Sequence, residues 1–372
     1  MPAPLPRSFC MRRTGREPAV DPHWFGTGDK EMRVGQIAVV LALLFWAGAA
    51  AAQDSAAISN ANHPVHMQTG KAPELVIIDT DIGDDIDDAF AIALAMQSPE
   101  IKILGITTAW GNTPLRARLA QRFLRDTGHA DVPVAVGIEK YPAKGTLTFS
   151  QAAYGEREPS TNWPPAVDFL LDQIRRHPGD VTLIAIGPET NLGAAIDRDA
   201  ETFRKLKRVV LMGGSVYRGY DGFAYPTVVP KAMPEWNILC DVAAARKVFS
   251  SGVPLYVLPL DSTQIKLQEL ERARLFSRGT ALTDALTILY HQWAYGTRQE
   301  TPTMFDAVAI GYAIQPELCP MKKMRLQVED DGLTRPIDGP PNTNVCLVSD
   351  TDSFLSFYMA RVSANQPAKP AH

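Results

Sequence analysis

The sequence predicts an α/β fold, a mostly parallel central sheet with helices on both faces, and three observations predict it. From Glu74 onward, apolar runs of strand length alternate with amphipathic stretches of helical length, the mark of successive βα units. The runs are near-continuous in Val, Ile and Leu, as strands covered on both faces require. The composition, 45% hydrophobic and 21% charged, is that of an ordinary globular chain. It excludes a disordered chain, a collagen-like chain and a polytopic membrane protein. The net charge of −4 offers no basic field to nucleic acid. A small polar substrate or a cation suits it better.

Strands are expected over residues 75–78, 101–108, 132–136, 181–186, 208–212 and 254–258. Amphipathic helices are expected over 114–127, 165–176, 190–197 and 242–250. The chain after Asp261 is richer in helix, and residues 321–328 with 344–348 read as a late β pair. No internal repeat breaks this pattern. The expectation is one domain over residues 73–360, with a flexible tail at 361–372.

What precedes the domain reads as targeting. Residues 1–31 carry Pro, Arg and Gly without periodicity, and translation is expected to begin at Met32. Residues 32–52 have a basic start at Arg33, an apolar run of about a dozen residues and Ala50-Ala51-Ala52, the layout of a secretory signal. Its apolar run is shorter than the roughly 20 residues of a membrane span. Export to the periplasm or medium is expected, with processing near Gln53 and no membrane span remaining. Residues 53–72 are a polar linker. Four cysteines occur, and Cys240, Cys319 and Cys346 lie in the domain without C-x-x-C spacing. Zinc is disfavoured. One disulfide and simple burial both stay open.

In open parallel sheets, ligands sit beyond the carboxyl ends of the strands. The residues there are informative. After Leu75-Val-Ile-Ile78 comes Asp79-Thr-Asp81-Ile-Gly83-Asp84-Asp85-Ile-Asp87-Asp88-Ala89, in which six of the ten residues from Asp79 to Asp88 are carboxylates. Helix capping explains one or two of them. The rest repel one another unless a cation neutralises them, and hard oxygen ligands favour Ca²⁺ or Mg²⁺. Four further segments follow strands or open helices. They are Thr107-Thr-Ala-Trp110-Gly-Asn112, Ile186-Gly-Pro-Glu-Thr-Asn191, Leu211-Met-Gly-Gly214 with Glu235-Trp236-Asn237, and Phe305-Asp306-Ala. Taken alone, a Gly-Asn pair is a turn and Asn191 or Thr190 a helix cap. Glu235 and Asn237, two apart on an extended segment, would face one side.

Taken in order, these segments resemble the inosine–uridine-preferring nucleoside hydrolase family. That family's patterns are D-x-D-P-G-x-D-D-A, T-T-x-x-G-N, T-G-P-L-T-N, M-G-G followed by E-F-N, and H-D-x-x-A. The resemblance runs from Leu75 to about Ser356, including the late Asp331-Gly332-Leu-Thr-Arg335. Three departures stand out. Two extra residues lie between Gly83 and Asp87, Val229 stands where an asparagine precedes the glutamate, and Phe305 replaces the family's histidine. Asp221 or Tyr220 could take over the missing asparagine's sugar contact.

The resemblance implies a nucleoside hydrolase-like, Rossmann-related fold, a homo-oligomer (dimer or tetramer) and calcium-dependent hydrolysis of ribonucleosides to ribose and free base. It implies Asp81 as general base and metal ligand, with Asp88, Asp306 and the Ile186 carbonyl completing the protein ligands and Asp84 or Asp85 as alternatives. Asp87, Asn112, Glu235, Asn237 and Asp306 would contact the substrate. Trp110, Trp236, Phe305 and Tyr217 are the aromatics that could stack on the base, and His129, His177 and His291 read as surface residues. Two other readings stay open: a secreted calcium-dependent binding protein, and a phosphatase built on Asp79-x-Asp81.

Overall fold

Strand β1 (Glu74–Thr80) is apolar toward both sides: Val76 and Ile78 are buried in one helical layer and Ile77 in the other. It therefore belongs inside a sheet covered on both faces. In the computed structural model, which describes residues 72–141, 149–221 and 229–364, that is where it lies. Its parallel neighbours are β2 (Ile101–Thr108) and β4 (Val181–Ala185). The other strands are β3 (Val134–Ala135), β5 (Arg208–Met212), β6 (Leu255–Leu258), β7 (Met321–Met324), β8 (Leu326–Val328), β9 (Thr334–Pro336) and β10 (Thr343–Cys346). The main sheet has the order β3-β2-β1-β4-β5-β6-β10-β7, parallel except where β7 meets β10.

On the face of Val76 and Ile78 pack α1 (Asp87–Met96), α2 (Thr113–Asp126), α3 (Ala152–Gly155) and, from farther along the chain, a group of C-terminal helices. On the face of Ile77 lie α4 (Ala166–Arg176), α5 (Thr190–Phe203), α6 (Trp236–Cys240) and α7 (Val242–Ser250). The C-terminal group is α8 (Leu260–Thr263), α9 (Glu269–Phe276), α10 (Ala281–Thr297), α11 (Phe305–Ile314) and α12 (Thr351–Val362). Helices α1 and α11 are apolar all round, which only a fully enclosed helix tolerates. They pack on each other, and every residue of Asp87–Ala95 and Asp306–Ala313 is buried. This pairing carries the N-termini of both helices, with their aspartates, to one place.

Two expectations change, and one open question closes. The strand expected at 132–136 is reduced to Val134–Ala135 at the sheet edge. The run 321–328 is divided, because the Arg325 carbonyl accepts from Ile337 N at 3.0 Å and leads the chain out of the main sheet. Thus β7 pairs with β10, while β8 forms a separate hairpin with β9. Of the two readings open for the cysteines, Cys319 and Cys346 are both buried and joined in a disulfide, and Cys240 is free. Among the described residues, no helix is long and apolar enough to cross a membrane. The expected leader, signal and linker lie outside the described residues up to residue 71, as do residues 365–372 of the expected tail, whereas Arg361 and Val362 close α12.

Candidate active site

Strand order reverses at β1, with β2 on one side and β4 on the other, so the crevice for a ligand opens at their carboxyl ends. Asp79, the first carboxylate there, is fully buried. It accepts from Thr107 Oγ1 and, at 2.8 Å, from Asn191 Nδ2, while its Oδ2 has no partner. Asn191 is thus not a helix cap; its amide ties β1 to β2 through Asp79 and the Thr108 carbonyl. Nor is Thr190, whose hydroxyl donates to Asp241. Burial pushes the Asp79 carboxyl up to about 7.

Asp81 follows at the strand end, pressed against the turn after β4. A Cβ on Gly187 would stand 2.7 Å from Asp81 N and 2.8 Å from Asp81 Oδ1, so only glycine permits this approach. Asp87 and Asp88 occupy the first turn of α1, and Asp306 the first turn of α11. One carboxylate oxygen from each of these three lies within 4.8 Å of the others. Asp306 N donates to Asp87 Oδ2 at 3.4 Å, and Thr80 Oγ1 donates to Asp88.

Asp81, Asp87, Asp88 and Asp306 are all at most 7% exposed. Burial, reinforced by the neighbouring carboxylates, holds Asp87, Asp88 and Asp306 well above the usual carboxylate range, and burial lifts Asp81 to about 7. Two helix N-termini supply only partial positive charge. A set of buried, mutually repelling carboxylates at this spacing suits a hard divalent cation as its counter-charge. The donor set therefore fits a metal.

The alternatives in the longer loop have other partners. Asp84 Oδ2 forms an ion pair with Arg116 at 2.7 Å. Asp85 Oδ1 accepts from Ile86 N at 2.7 Å, and its carboxylate also receives a hydrogen bond from Trp293. Across the crevice, Asn237 Nδ2 reaches the Ile186 carbonyl at 3.5 Å and the Met212 carbonyl at 3.1 Å.

The segment of Glu235 and Asn237 is not extended. Glu235 is the N-cap of α6, accepting from Asn237 N at 2.9 Å and Ile238 N at 3.1 Å, and it also takes Gly214 N at 3.0 Å. Glutamate is uncommon in that role, which is why the helix start was not legible. Both side chains are nonetheless buried at the crevice.

Asn112 is exposed and caps α2, accepting from Leu115 N at 3.0 Å. Trp110 is buried with a left-handed backbone (φ 63°), and its Nε1 lacks a partner. Trp236 and Tyr217 are exposed. Phe305 is half-buried and meets the Tyr220 ring edge-on at 5.9 Å. Tyr220 also accepts from Trp236 N at 3.0 Å and donates to Glu235 Oε1 at 3.4 Å. Of the two residues considered for the missing asparagine's place, Tyr220 sits at Glu235, whereas Asp221 is paired with Arg218. Val229 is exposed, and among the three histidines His129 bonds the Thr127 carbonyl.

Sequence reasoning left two site residues unassigned. Glu189 is fully buried, has no hydrogen-bond partner on either oxygen, and is raised well above its usual range by burial and by Glu235. Its signal was a glutamate where the Gly-Pro pattern carries leucine. Arg116 is the other, and nothing in its helical context marked it.

Comparison with known proteins agrees with this geometry. Residues 76–356 match the family described as inosine-uridine preferring nucleoside hydrolase. Uridine nucleosidase 1 of Arabidopsis thaliana is 35% identical over 70% of this chain and 80% of its own length. The pyrimidine-specific ribonucleoside hydrolase of Enterobacter sp. is 32% identical over 77% of this chain and 97% of its own. A solved plant nucleoside hydrolase superposes with a TM-score of 0.68 at 28% identity, covering 79% of this chain and 100% of that one. A purine-preferring ribonucleoside hydrolase from Gardnerella vaginalis gives 0.66 at 26%, over 78% and 98%.

Proposed function

The chain belongs to the inosine-uridine preferring nucleoside hydrolase family, an N-glycosidic hydrolase, and on that premise we propose that it hydrolyses ribonucleosides to ribose and free base with calcium as its cofactor. The observation that carries this reading is the meeting of Asp87 and Asp88 with Asp306 at the mouth of β1, opposite Glu235 and Asn237. Asp81, Asp88, Asp306 and the Ile186 carbonyl would hold the calcium ion. Once bound, such an ion supplies orientation of a water and of vicinal sugar hydroxyls and lowers that water's pKa.

The remaining steps fall to the chain. Asp81 takes the proton of the attacking water. Asp87, Glu235 and Asn237 accept from and donate to the ribose hydroxyls. As the N-glycosidic bond breaks, positive charge grows on the sugar ring, and the surrounding carboxylates stabilise it. Phe305 carries no proton, so the departing base is assisted by contact with the Phe305 and Tyr220 rings rather than by an acid at that position. Similarity to proteins named for uridine, pyrimidines and purines supports a ribonucleoside and leaves the base open. Export through the signal at residues 32–52 is part of the proposal, and the Cys319–Cys346 disulfide supports it.

Base and reducing sugar released from a ribonucleoside panel, with and without EDTA, test the reading. Turnover lost with EDTA and restored by calcium is expected. Calcium-dependent nucleoside binding without turnover would replace it with the binding-protein reading, and cleavage of phosphate esters alone with the phosphatase.

A further inference from the structure

The two residues that lengthen the aspartate loop need a structural account, because five successive carbonyls from Asp81 to Asp85 are turned away from any regular element. Each finds a donor elsewhere. Arg116 Nη1 donates to the Asp81 carbonyl and, at 3.0 Å, to that of Ile82. Gln151 N takes Gly83 at 3.0 Å, Ser150 Oγ takes Asp84 at 2.7 Å, and Gln151 Nε2 takes Asp85 at 2.6 Å. Arg116 is the only one of these donors that carries charge, and it is 1% exposed. Its Nε donates to the Trp110 carbonyl at 2.7 Å, its Nη2 pairs with Asp84 at 2.7 Å, and its guanidinium lies 4.9 Å from the centre of the Phe149 ring. The same ring covers Gly83, where a Cβ would meet it at 1.5 Å.

We infer that Arg116 is a positioning residue for Asp81, holding the backbone of the lengthened loop so that the Asp81 carboxylate faces the metal and water, with Asp84 present to neutralise Arg116. The logic is one of charge. A buried guanidinium must have a carboxylate partner, and besides Asp84 its charge acts on the site carboxylates Asp81 and Asp88. Asp84 satisfies the fork, so Arg116 meets Asp81 at its carbonyl and leaves the carboxylate to the site. Asp84 then belongs to the loop and not to the cation. Trp110, bonded to the same guanidinium, links this clamp to the end of β2.

The inference rests on the hydrolase reading, and the test separates the two. Arg116→Met alone leaves the half-buried Asp84 carboxylate without its partner, so the informative variant is the double substitution Arg116→Met/Asp84→Asn, which removes the pair together. Partners that orient metal ligands typically cost about 10–100-fold in metal affinity or activity when lost. For a double variant that retains the wild-type circular dichroism, kcat is expected to fall at least about tenfold with KM little changed, and the calcium Kd by titration calorimetry to rise by a similar factor. Arg116→Lys, which keeps the charge and stem but not the fork, is expected to recover only part of the loss. Wild-type kcat and calcium Kd in the double variant, or full recovery with lysine, would overturn the inference. If the wild type binds calcium but turns over no nucleoside, the hydrolase reading fails while the calcium Kd still reports on the clamp.

Discussion

The two walls of the crevice are built on different principles. The aspartate wall is governed by charge: Asp79, Asp81, Asp87, Asp88 and Asp306 are buried, with Asp87, Asp88 and Asp306 crowded together, while Asp84 and Asp85 at its rim are less buried and have donors of their own. The opposite wall, with Tyr220, Trp236 and Phe305, is governed by shape, and its aromatics range from half-buried to exposed. Departures from the family pattern occur on both walls but differ in kind. On the charged wall Arg116 pairs with Asp84 of the lengthened loop and donates to the Asp81 and Ile82 carbonyls, as a buried guanidinium requires. On the aromatic wall Phe305 offers an edge-on ring contact to Tyr220 and no acid, while Tyr220 stands at Glu235 on the side where the family's asparagine is missing.

The largest effect expected from breaking this contrast is on Asp81. Asp81→Asn keeps the shape and removes the base, and kcat should fall by about 10²–10⁴-fold. Steady-state assay of uridine hydrolysis checks it; a loss below tenfold would show that another group takes the proton. Next, Gly187→Ala leaves every carboxylate in place but drives a methyl to within 2.8 Å of Asp81 Oδ1. A displacement on the order of 1 Å should cost about 10²-fold in kcat, and unchanged kinetics would mean that the turn yields freely.

The aromatic wall gives the third prediction. With no acid at Phe305, p-nitrophenyl riboside, whose leaving group needs no proton, should be cleaved faster than inosine or uridine. Phe305→His should narrow that gap by up to the roughly 10²–10⁴-fold range of general acid catalysis. Equal turnover of both substrates by the wild type would assign the proton to a different donor.

The smallest effect is on stability. Folding lifts Asp81 from 3.8 to about 7, and lifts Asp87, Asp88 and Asp306 as well. Without metal, the folded chain therefore binds more protons than the unfolded one between these limits. Its stability is full below the unfolded value and is lost as pH rises through about 7. In EDTA, Tm should drop by several degrees from pH 5 to pH 8, and added calcium should raise Tm more at pH 8 than at pH 5. A calcium shift that is equal at both, by calorimetry, would count against these carboxylates as the metal site.

Much of this is legible in the sequence. Parallel β1, β4, β5 and β6 announce themselves by near-continuous runs of Val, Ile and Leu, since a strand enclosed on both faces needs no polar side. Crowding of carboxylates from Asp79 to Asp88 calls for a counter-charge by repulsion alone, and the order of the motifs follows the carboxyl ends of the strands. Those are properties of neighbours along the chain. What only the tertiary structure decided depends on residues far apart. Asp306 joins Asp87 because two all-apolar helices must bury each other. Asn191 serves Asp79 rather than its own helix, Glu235 caps a helix where an extended segment was expected, and Arg116 pairs with Asp84. Local pattern sets which groups want a partner; packing sets which partner each obtains, because a buried charge can be satisfied only by whatever the fold brings within reach.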